Sequence, residues 1–182
     1  MARQFPALND DHRSFIAAQA IFFVGSAAGT GRVNVSPKGM DSLRVLGPDR
    51  ILWLNLTGSG NETAGHLARV NRLTLMWCSF AARPLILRAY GTARVVHAAD
   101  ADWPGLADRL PAIPGARQIF DVAVDLVQTS CGYAVPLMDT AAERPVLRDW
   151  AEKQGPAGLR TYWHERNRRT IDGFDSGMPH DP

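Results

Sequence analysis

Short apolar segments separated by tight turns recur through most of the chain, and this spacing restricts the possible fold. Arg32–Ser36 alternates apolar and polar residues, which is the period-two pattern of a half-buried strand. Turns such as Gly47–Asp49 leave no room for a helical crossover, so most neighbouring strands are predicted to be antiparallel. The predicted strands are Ile21–Gly25, Arg32–Ser36, Leu43–Leu46, Ile51–Leu56, Leu73–Phe80, Leu85–Val96 and Gln118–Thr129.

Helical patterns flank these strands. Asp10 or Asp11 can cap a helix that reaches Gln19, and Asn61–Val70 combines a polar cap with an apolar face. These patterns predict a mainly β protein with flanking helices, built as a small antiparallel β-barrel. Further helices are predicted at Asp100–Leu110 and, in a helical tail from about residue 141 to 182, at Pro145–Lys153 and Pro156–Arg168.

Length and composition restrict the class of protein. The 182 residues suit one domain, predicted to cover residues 1–182. The 20 Lys and Arg residues nearly balance 18 Asp and Glu residues, which argues against a nucleic-acid partner. Cys78 and Cys131 lie far apart, and no metal-ligand spacing occurs, so we expect a reduced, cytoplasmic protein without a metal site. The longest apolar run, Ile21–Ala28, is too short to span a membrane.

The segment Gly31–Thr63 carries the strongest functional signal. One strand leads into Ser36–Gly39, which contains a lysine, and the next leads into the turn Ser59–Asn61. Backbone amides beside glycine, hydroxyl groups, a helix N-terminus and a cation are donors that suit a phosphate group. The segment therefore predicts a binding site for a cofactor that carries phosphate.

Five pieces of the chain occur in a characteristic order: GRVNVSPKG, LNLTGSGNETAGHL, LRAYGTARVV, QTSCGYAVP and YWHERNRRTIDG. With these pieces, the chain resembles the pyridoxamine 5'-phosphate oxidase-like family of FMN-binding split barrels. The resemblance covers about Ile21 to Gly173 and implies a six-stranded antiparallel split β-barrel that works as a homodimer. FMN would lie in a cleft between subunits, held by strand residues of one chain and late elements of the other.

The resemblance also implies where FMN would lie. The flavin ring would follow the first strand of the Gly31–Thr63 segment, and the phosphate would reach the turn after the second. Arg88 interrupts an otherwise apolar strand, where a cofactor or interface contact and a surface role are both open. The residues predicted to bind the cofactor are Arg32, Val33, Asn34, Val35, Ser36, Lys38, Thr57, Ser59, Gly60, Asn61 and Arg88.

The chain departs from the true pyridoxamine 5'-phosphate oxidases at two places. Those enzymes resemble one another in an Arg-Lys pair at the helix start, which binds the FMN phosphate, whereas this chain has Gly60–Thr63 there. Their substrate-binding arginine, within an Arg-Leu-x-Pro ending, is missing from the sequence DGFDSGMPHDP. We therefore expect FMN binding and do not expect oxidation of a vitamin B6 phosphate.

Two classes of function stay open. The first is an FMN-dependent oxidoreductase with an unknown small-molecule substrate or electron donor, in which the cofactor performs the chemistry and no catalytic side chain is assigned. The alternative is a non-catalytic protein that binds flavin, haem or a deazaflavin. Haem would need an axial ligand, for which His164 and His180 are available. The partner subunit and the tail are expected to decide substrate specificity.

Overall fold

The computed structural model describes residues 2–139 and 142–179. Of the predicted tail, residues 141 and 180–182, including the possible haem ligand His180, therefore lie outside the described residues. The strands are β1 (Arg3–Phe5), β2 (Phe22–Ser26), β3 (Asn34–Lys38), β4 (Leu43–Gly47), β5 (Arg50–Leu56), β6 (Leu73–Cys78), β7 (Leu85–Val96) and β8 (Ala116–Cys131). The helices are α1 (Asp10–Ala17), α2 (Glu62–Leu67), α3 (Trp103–Ala107) and α4 (Val146–Arg166).

All eight strands belong to one antiparallel sheet. Its order is β3-β2-β6-β7-β8-β5-β4, and β1 pairs with β8 outside this path. The long strands β7 and β8 pair along almost their whole length, with a register shift between Tyr90 and Gly91. Such a shift bends a strand pair and increases its twist. Across residues 2–139 and 142–179, β3 and β4 share no ladder, so the barrel is split at these two strands.

The mainly β fold with flanking helices is confirmed, but the sheet has eight strands rather than the six that the resemblance implied. β1 has only three residues, which is too short to show an alternating pattern. Its position depends instead on pairing with β8, in the register Arg3 to Thr129 and Phe5 to Val127. Sequence periodicity cannot report such a long-range contact.

The helices agree with the sequence in place but not always in length. α2 is shorter than the predicted Asn61–Val70, and Asn61 precedes it without a side-chain capping bond. The two helices predicted in the tail form α4, which is interrupted at Gly155, where φ is 64° and ψ is 175°. No helix in the described part of the chain is long and apolar enough to cross a bilayer.

Two apolar clusters explain the apolar run Ile51–Leu54 within β5. Trp53 faces the main core inside the barrel, where its ring stacks on Phe120 with centroids 4.4 Å apart. Leu52 and Leu54 face a second cluster, which is covered by Leu106 of α3. Because β5 is buried on both faces and pairs with β4 and β8, the core anchors the strand that leads into the turn before α2.

Candidate functional site

A cleft of about 690 Å³ opens beside β3, at one end of the sheet order. β3 forms one side, and β5 with the turn that follows it forms another. α2 and the chain after α4 complete the lining, with one contribution from β8. The lining residues are Arg32, Val33, Asn34, Ser36, Lys38, Trp53, Asn55, Leu56, Gly58, Ser59, Gly60, Asn61, Glu62, Thr63, His66, Arg117, Arg169, Thr170 and Ile171.

Arg117 is the most deeply placed cation in the cleft. It is 4% exposed, and burial lowers its pKa to about 10. Its Nη1 donates to the carbonyl of Gly60 at 3.1 Å and to Oδ1 of Asn167 at 2.6 Å, while Nε has no partner. In the described residues no carboxylate forms an ion pair with Arg117. A buried guanidinium that has only neutral acceptors is a favourable position for a bound anion.

Lys38 is a second cation in the same cleft. Burial is the main cause that lowers its pKa to about 8, and the positive charge of Arg117 lowers it further. The Nζ atom lies 5.5 Å from the ring centroid of Trp53. Within residues 2–139 and 142–179, Lys38 makes no salt bridge. Two positive charges that repel each other and have no acidic partner therefore share this cleft.

The polar face of β3 lines the cleft. Asn34, Ser36 and Lys38 are cleft residues, whereas Val35 is 66% exposed outside it. The predicted alternation is thus present, but the expectation of a buried apolar face is wrong. The reason is the position of β3, which is a terminal strand whose inner face borders an open cleft instead of the core.

A buried hydrogen-bond network connects β3 to α2. Asn34 Nδ2 donates to Thr63 Oγ1 at 3.4 Å, and Ser26 Oγ donates to the same atom at 3.3 Å. Ser26 Oγ also lies 3.1 Å from Nδ1 of His66, which is fully buried. The Nε2 atom of His66 and the Nδ2 atom of Asn61 are buried without partners. The wall of the cleft thus contains several nitrogen atoms whose hydrogen-bonding capacity is unused.

The chain after α4 borders the turn between β5 and α2. Asn167 Nδ2 donates to the carbonyl of Gly58 at 2.9 Å. The amide of Ile171 donates to the carboxylate of Glu62, at 3.1 and 3.2 Å from its two oxygens. Glu62 therefore accepts from a backbone amide, as a capping role would require, but that amide belongs to the tail. Late elements of the same chain thus contribute to the cleft.

Residues 169–175 form a compact turn that we call the C-terminal hairpin. Arg169 and Asp175 form a β-bridge, and the amide of Thr170 donates to the carbonyl of Phe174 at 2.9 Å. Asp172 accepts the amide of Arg32 at 2.7 Å and also pairs with its guanidinium. The hydrogen bond from the backbone amide of Arg32 is the largest cause that lowers the pKa of Asp172. The hairpin is thereby fastened to the start of β3.

Two residues predicted to bind the cofactor, Thr57 and Arg88, do not line the cleft and form hydrogen bonds elsewhere. Thr57 is 2% exposed, and its hydroxyl donates to the Gly115 carbonyl at 2.7 Å while accepting from Trp163 Nε1 at 2.8 Å. Arg88 Nη1 donates to Ser130 Oγ at 3.3 Å, between β7 and β8. Val35 also lies outside the cleft. Of the predicted residues, the cleft brings together Arg32, Val33, Asn34, Ser36, Lys38, Ser59, Gly60 and Asn61.

Sequence reasoning missed Arg117 and the contribution of the C-terminal hairpin. Arg117 lies at the start of the apolar strand β8, which is the same kind of signal that singled out Arg88. Only the pairing of β8 with β5 shows which of these two arginines reaches the cleft. The possible haem ligand His164 has its Nε2 atom 3.2 Å from Nη1 of Arg168 and does not line the cleft.

Solved structures with the same fold support the split-barrel description. A candidate pyridoxamine 5'-phosphate oxidase from Lactobacillus delbrueckii matches with a TM-score of 0.54 and 21% identity, over 68% of this chain and 94% of that one. HupZ from Group A Streptococcus matches with a TM-score of 0.51 and 15% identity, over 65% of this chain and 91% of that one. At these identities the likeness concerns the fold alone.

Sequence comparisons establish the family. The family model described as pyridoxamine 5'-phosphate oxidase matches residues 8–131. The pyridoxamine 5'-phosphate oxidase family protein ustO of Aspergillus flavus is 36% identical over 188 residues, covering 93% of this chain and 76% of that protein. The chain therefore belongs to the pyridoxamine 5'-phosphate oxidase family.

Proposed function

We propose that this protein binds FMN in the cleft and acts as an FMN-dependent oxidoreductase on a small molecule. The observation that carries the proposal is the pair Arg117 and Lys38, two cations that line one cleft without an ion-pair partner in the described residues. A phosphate group would supply the missing negative charge. Membership of the family supports a flavin as the molecule that carries this phosphate.

The other cleft groups suit the same ligand. Arg117 Nε and Asn61 Nδ2 are unused buried donors, and both phosphate oxygens and flavin carbonyls are acceptors. β3 pairs with β2 along one edge only, so its other edge offers alternating backbone donors and acceptors. Pro37 agrees with this position because proline, which lacks an N–H group, is tolerated at a sheet edge. The flavin ring also alternates donors and acceptors.

The division of chemical work follows from these groups. A bound flavin supplies the capacity to accept and release a hydride or electrons. The chain supplies binding and orientation, with Lys38 and Arg117 providing positive charge and Trp53 providing an aromatic wall beside Lys38. This division accounts for an oxidoreductase cleft built from binding groups rather than from a nucleophile and its base.

The first test is the absorbance spectrum of the purified protein and the identity of any cofactor released from it. We expect a flavin spectrum, or its appearance when FMN is added to colourless protein. Protein that stays colourless and takes up no FMN would exclude the proposal. Oxidation of a reduced nicotinamide much faster than by free FMN would support an enzyme, whereas binding without turnover would favour a flavin carrier. A Soret band with haemin would favour the haem alternative.

We also propose that the protein is a homodimer. Val33 and Val35 are 72% and 66% exposed, and they lie at the same end of the sheet as the cleft. Two branched apolar side chains on a terminal strand are a suitable contact for a second copy. Light scattering after size exclusion should give the dimer mass. Val35→Glu should shift it toward the monomer, while Val146→Glu, at another exposed valine, should not.

The substrate is proposed to differ from a vitamin B6 phosphate. The chain has Gly60–Thr63 in the place of the Arg-Lys pair, and the carboxylate of Glu62, which lines the cleft, disfavours a second phosphorylated ligand there. Steady-state assays with pyridoxamine 5'-phosphate on FMN-loaded protein should show turnover no faster than that of free FMN. Turnover well above this background would exclude this part of the proposal while leaving FMN binding intact.

A further inference from the structure

Lysine is rare in this chain, and its placement is selective. Lys38 and Lys153 are the only two lysines among the 20 Lys and Arg residues. Lys153 is exposed on α4, whereas Lys38 lines the cleft. Within residues 2–139 and 142–179, the side-chain ion pairs are all made by arginine. Arginine keeps its charge, whereas lysine can lose a proton and become a nucleophile, so a lysine in the cleft points to amine chemistry.

We propose that Lys38 captures an aldehyde that carries a phosphate group, forming an imine with it while Arg117 binds the phosphate. The adduct occupies the place proposed for the phosphate of FMN, so aldehydes of this class compete with the cofactor for the cleft. The capture itself needs no flavin, and only the competition rests on the proposed function.

The surroundings of Lys38 favour the neutral amine. Burial and the positive charge of Arg117 lower the pKa of Lys38 to about 8. Near about pH 7.5 its neutral fraction is then roughly a hundredfold or more above that of an ordinary lysine. The ring of Trp53, with its centroid 5.5 Å from Nζ, covers one side of the amine. Desolvation beside a second cation is an established way to activate a lysine nucleophile.

No carboxylate holds the amine of Lys38 in its charged form in the part of the chain that the structure describes. Glu62 is acidic and lines the cleft, but its two carboxylate oxygens accept the amide of Ile171 at 3.1 and 3.2 Å. Lys38 forms no ion pair with Glu62. An acidic partner at hydrogen-bonding distance would favour the ammonium form and suppress attack on a carbonyl group.

Arg117 is the cation of the cleft best suited to bind the phosphate. Of the other two arginines that line the cleft, Arg32 pairs with Asp172, and Arg169 is exposed and donates to the carbonyl of Gly173 at 3.0 Å. Arg117 is buried and has only neutral acceptors. A buried guanidinium without a counter-charge gains most from an anion.

The reaction needs no oxidant or reductant. The neutral amine attacks the carbonyl carbon, a carbon–nitrogen double bond replaces the carbon–oxygen double bond, and the oxygen leaves as water with both amine protons. Phosphate binding at Arg117 holds the aldehyde beside the amine, which raises its effective concentration. The negative charge of the bound phosphate then stabilises the protonated form of the imine.

The experiment treats the dialysed full chain with glyceraldehyde 3-phosphate, traps imines with cyanoborohydride and locates them by peptide mass mapping. We expect Lys38 to be labelled at least about tenfold faster than Lys153, which is the internal control. Glyceraldehyde, which lacks the phosphate, should label Lys38 at least about tenfold more slowly than glyceraldehyde 3-phosphate does.

The ratio of the two labelling rates at Lys38 tests the role of Arg117, because the reactivity of the amine itself cancels in this ratio. Arg117→Met should lower the ratio at least about fivefold. Arg50→Met, at an exposed arginine paired with Asp121, should leave it unchanged. If Arg117→Met does not fold by far-UV circular dichroism, the comparison of two lysines and two aldehydes in the wild type still decides.

Three results would overturn the inference: equal labelling of Lys38 and Lys153, equal rates with the two aldehydes at Lys38, or an unchanged ratio in folded Arg117→Met. Added FMN tests the competition separately and should slow labelling at Lys38 but not at Lys153. Labelling of Lys38 that saturating FMN does not slow would contradict the proposed flavin site while leaving the capture of the aldehyde intact.

Discussion

Arg32 and Arg117 both line the cleft, but the protein holds them in opposite ways. Arg32 has a side chain that is 71% exposed, and Asp172 neutralises it. Arg117 is buried and has only carbonyl acceptors at Gly60 and Asn167. The first arginine fastens the C-terminal hairpin, whereas the second retains an uncompensated charge. Burial without a counter-charge therefore distinguishes a cation available to a ligand from one already used in the structure.

The largest effect is expected at the buried cation. Arg117→Met should weaken FMN binding by about 2–3 kcal/mol, or roughly 30- to 150-fold, because charge-assisted hydrogen bonds to the phosphate are lost. Arg50→Met, at an exposed arginine paired with Asp121, is the control and should leave affinity unchanged. Titration calorimetry measures both. Equal FMN affinities in the two variants would show that Arg117 does not contribute to FMN binding.

Lys38 should give the next largest effect. Lys38→Met should weaken FMN binding by about 1–3 kcal/mol, since in the proposed complex one charge on a flexible side chain would contact the phosphate. Lys153 is exposed on α4 and provides a matched control with the same substitution. Flavin fluorescence titration measures the two dissociation constants. If Lys38→Met and Lys153→Met bind FMN equally well, Lys38 does not contribute to phosphate binding.

The lowered pKa of Lys38 predicts a pH dependence. Above about pH 8 the free protein loses the Lys38 proton, whereas bound phosphate favours the protonated form, so FMN affinity should fall by up to tenfold per pH unit. The phosphate itself ionises near pH 6 and contributes no change in this range. Calorimetry between pH 7 and about pH 9 tests this sign. The Lys38→Met variant should show a flat profile.

The lowered pKa of Lys38 predicts that the stability of the flavin-free protein rises with pH, whereas FMN affinity falls. Between about pH 8 and the ordinary lysine value of 10.5, the unfolded chain binds this proton and the folded chain does not. The free energy of unfolding contributed by Lys38 therefore rises with pH across that range. Chemical denaturation of the flavin-free protein should show this rise, and Lys38→Met should reduce it.

The smallest effect is expected at Arg32. Arg32→Ala leaves the backbone amide that donates to Asp172, so the hairpin keeps one of its two bonds there. FMN affinity should change by less than about threefold, because an exposed ion pair contributes little. A loss as large as that of Arg117→Met would show that Arg32 contacts the ligand directly, and the contrast between the two arginines would fail.

Local sequence patterns predicted those parts of the fold that depend on neighbours in the chain. The alternation in β3 and the interruption near Gly155 in α4 were visible because residues close together produce them. β1 was missed because its three residues are a strand only through their pairing with β8. The exposed face of Val35 was assigned wrongly, since alternation identifies two faces but not which one meets the core.

Sequence reasoning found the half of the cleft that lies within one continuous segment. Lys38 and the turn Ser59–Asn61 are close in the chain and belong to a recognisable pattern. Arg117 reaches them only through the pairing of β8 with β5, and Ile171 only through folding of the tail. Such contacts depend on three-dimensional packing, so no local pattern could separate Arg117 from Arg88.

The hydrogen bond between Arg117 and Asn167 also has a consequence for the growing chain. The two residues are 50 positions apart, so a nascent chain exposes Arg117 well before its amide acceptor is synthesised. Until then the barrel strands can pair, but the cleft lacks the wall that the tail provides. If the cleft binds a flavin as proposed, we therefore expect loading to follow the synthesis of the tail. A ribosome-bound chain that ends before Asn167 should emerge without cofactor, even when its sheet has formed.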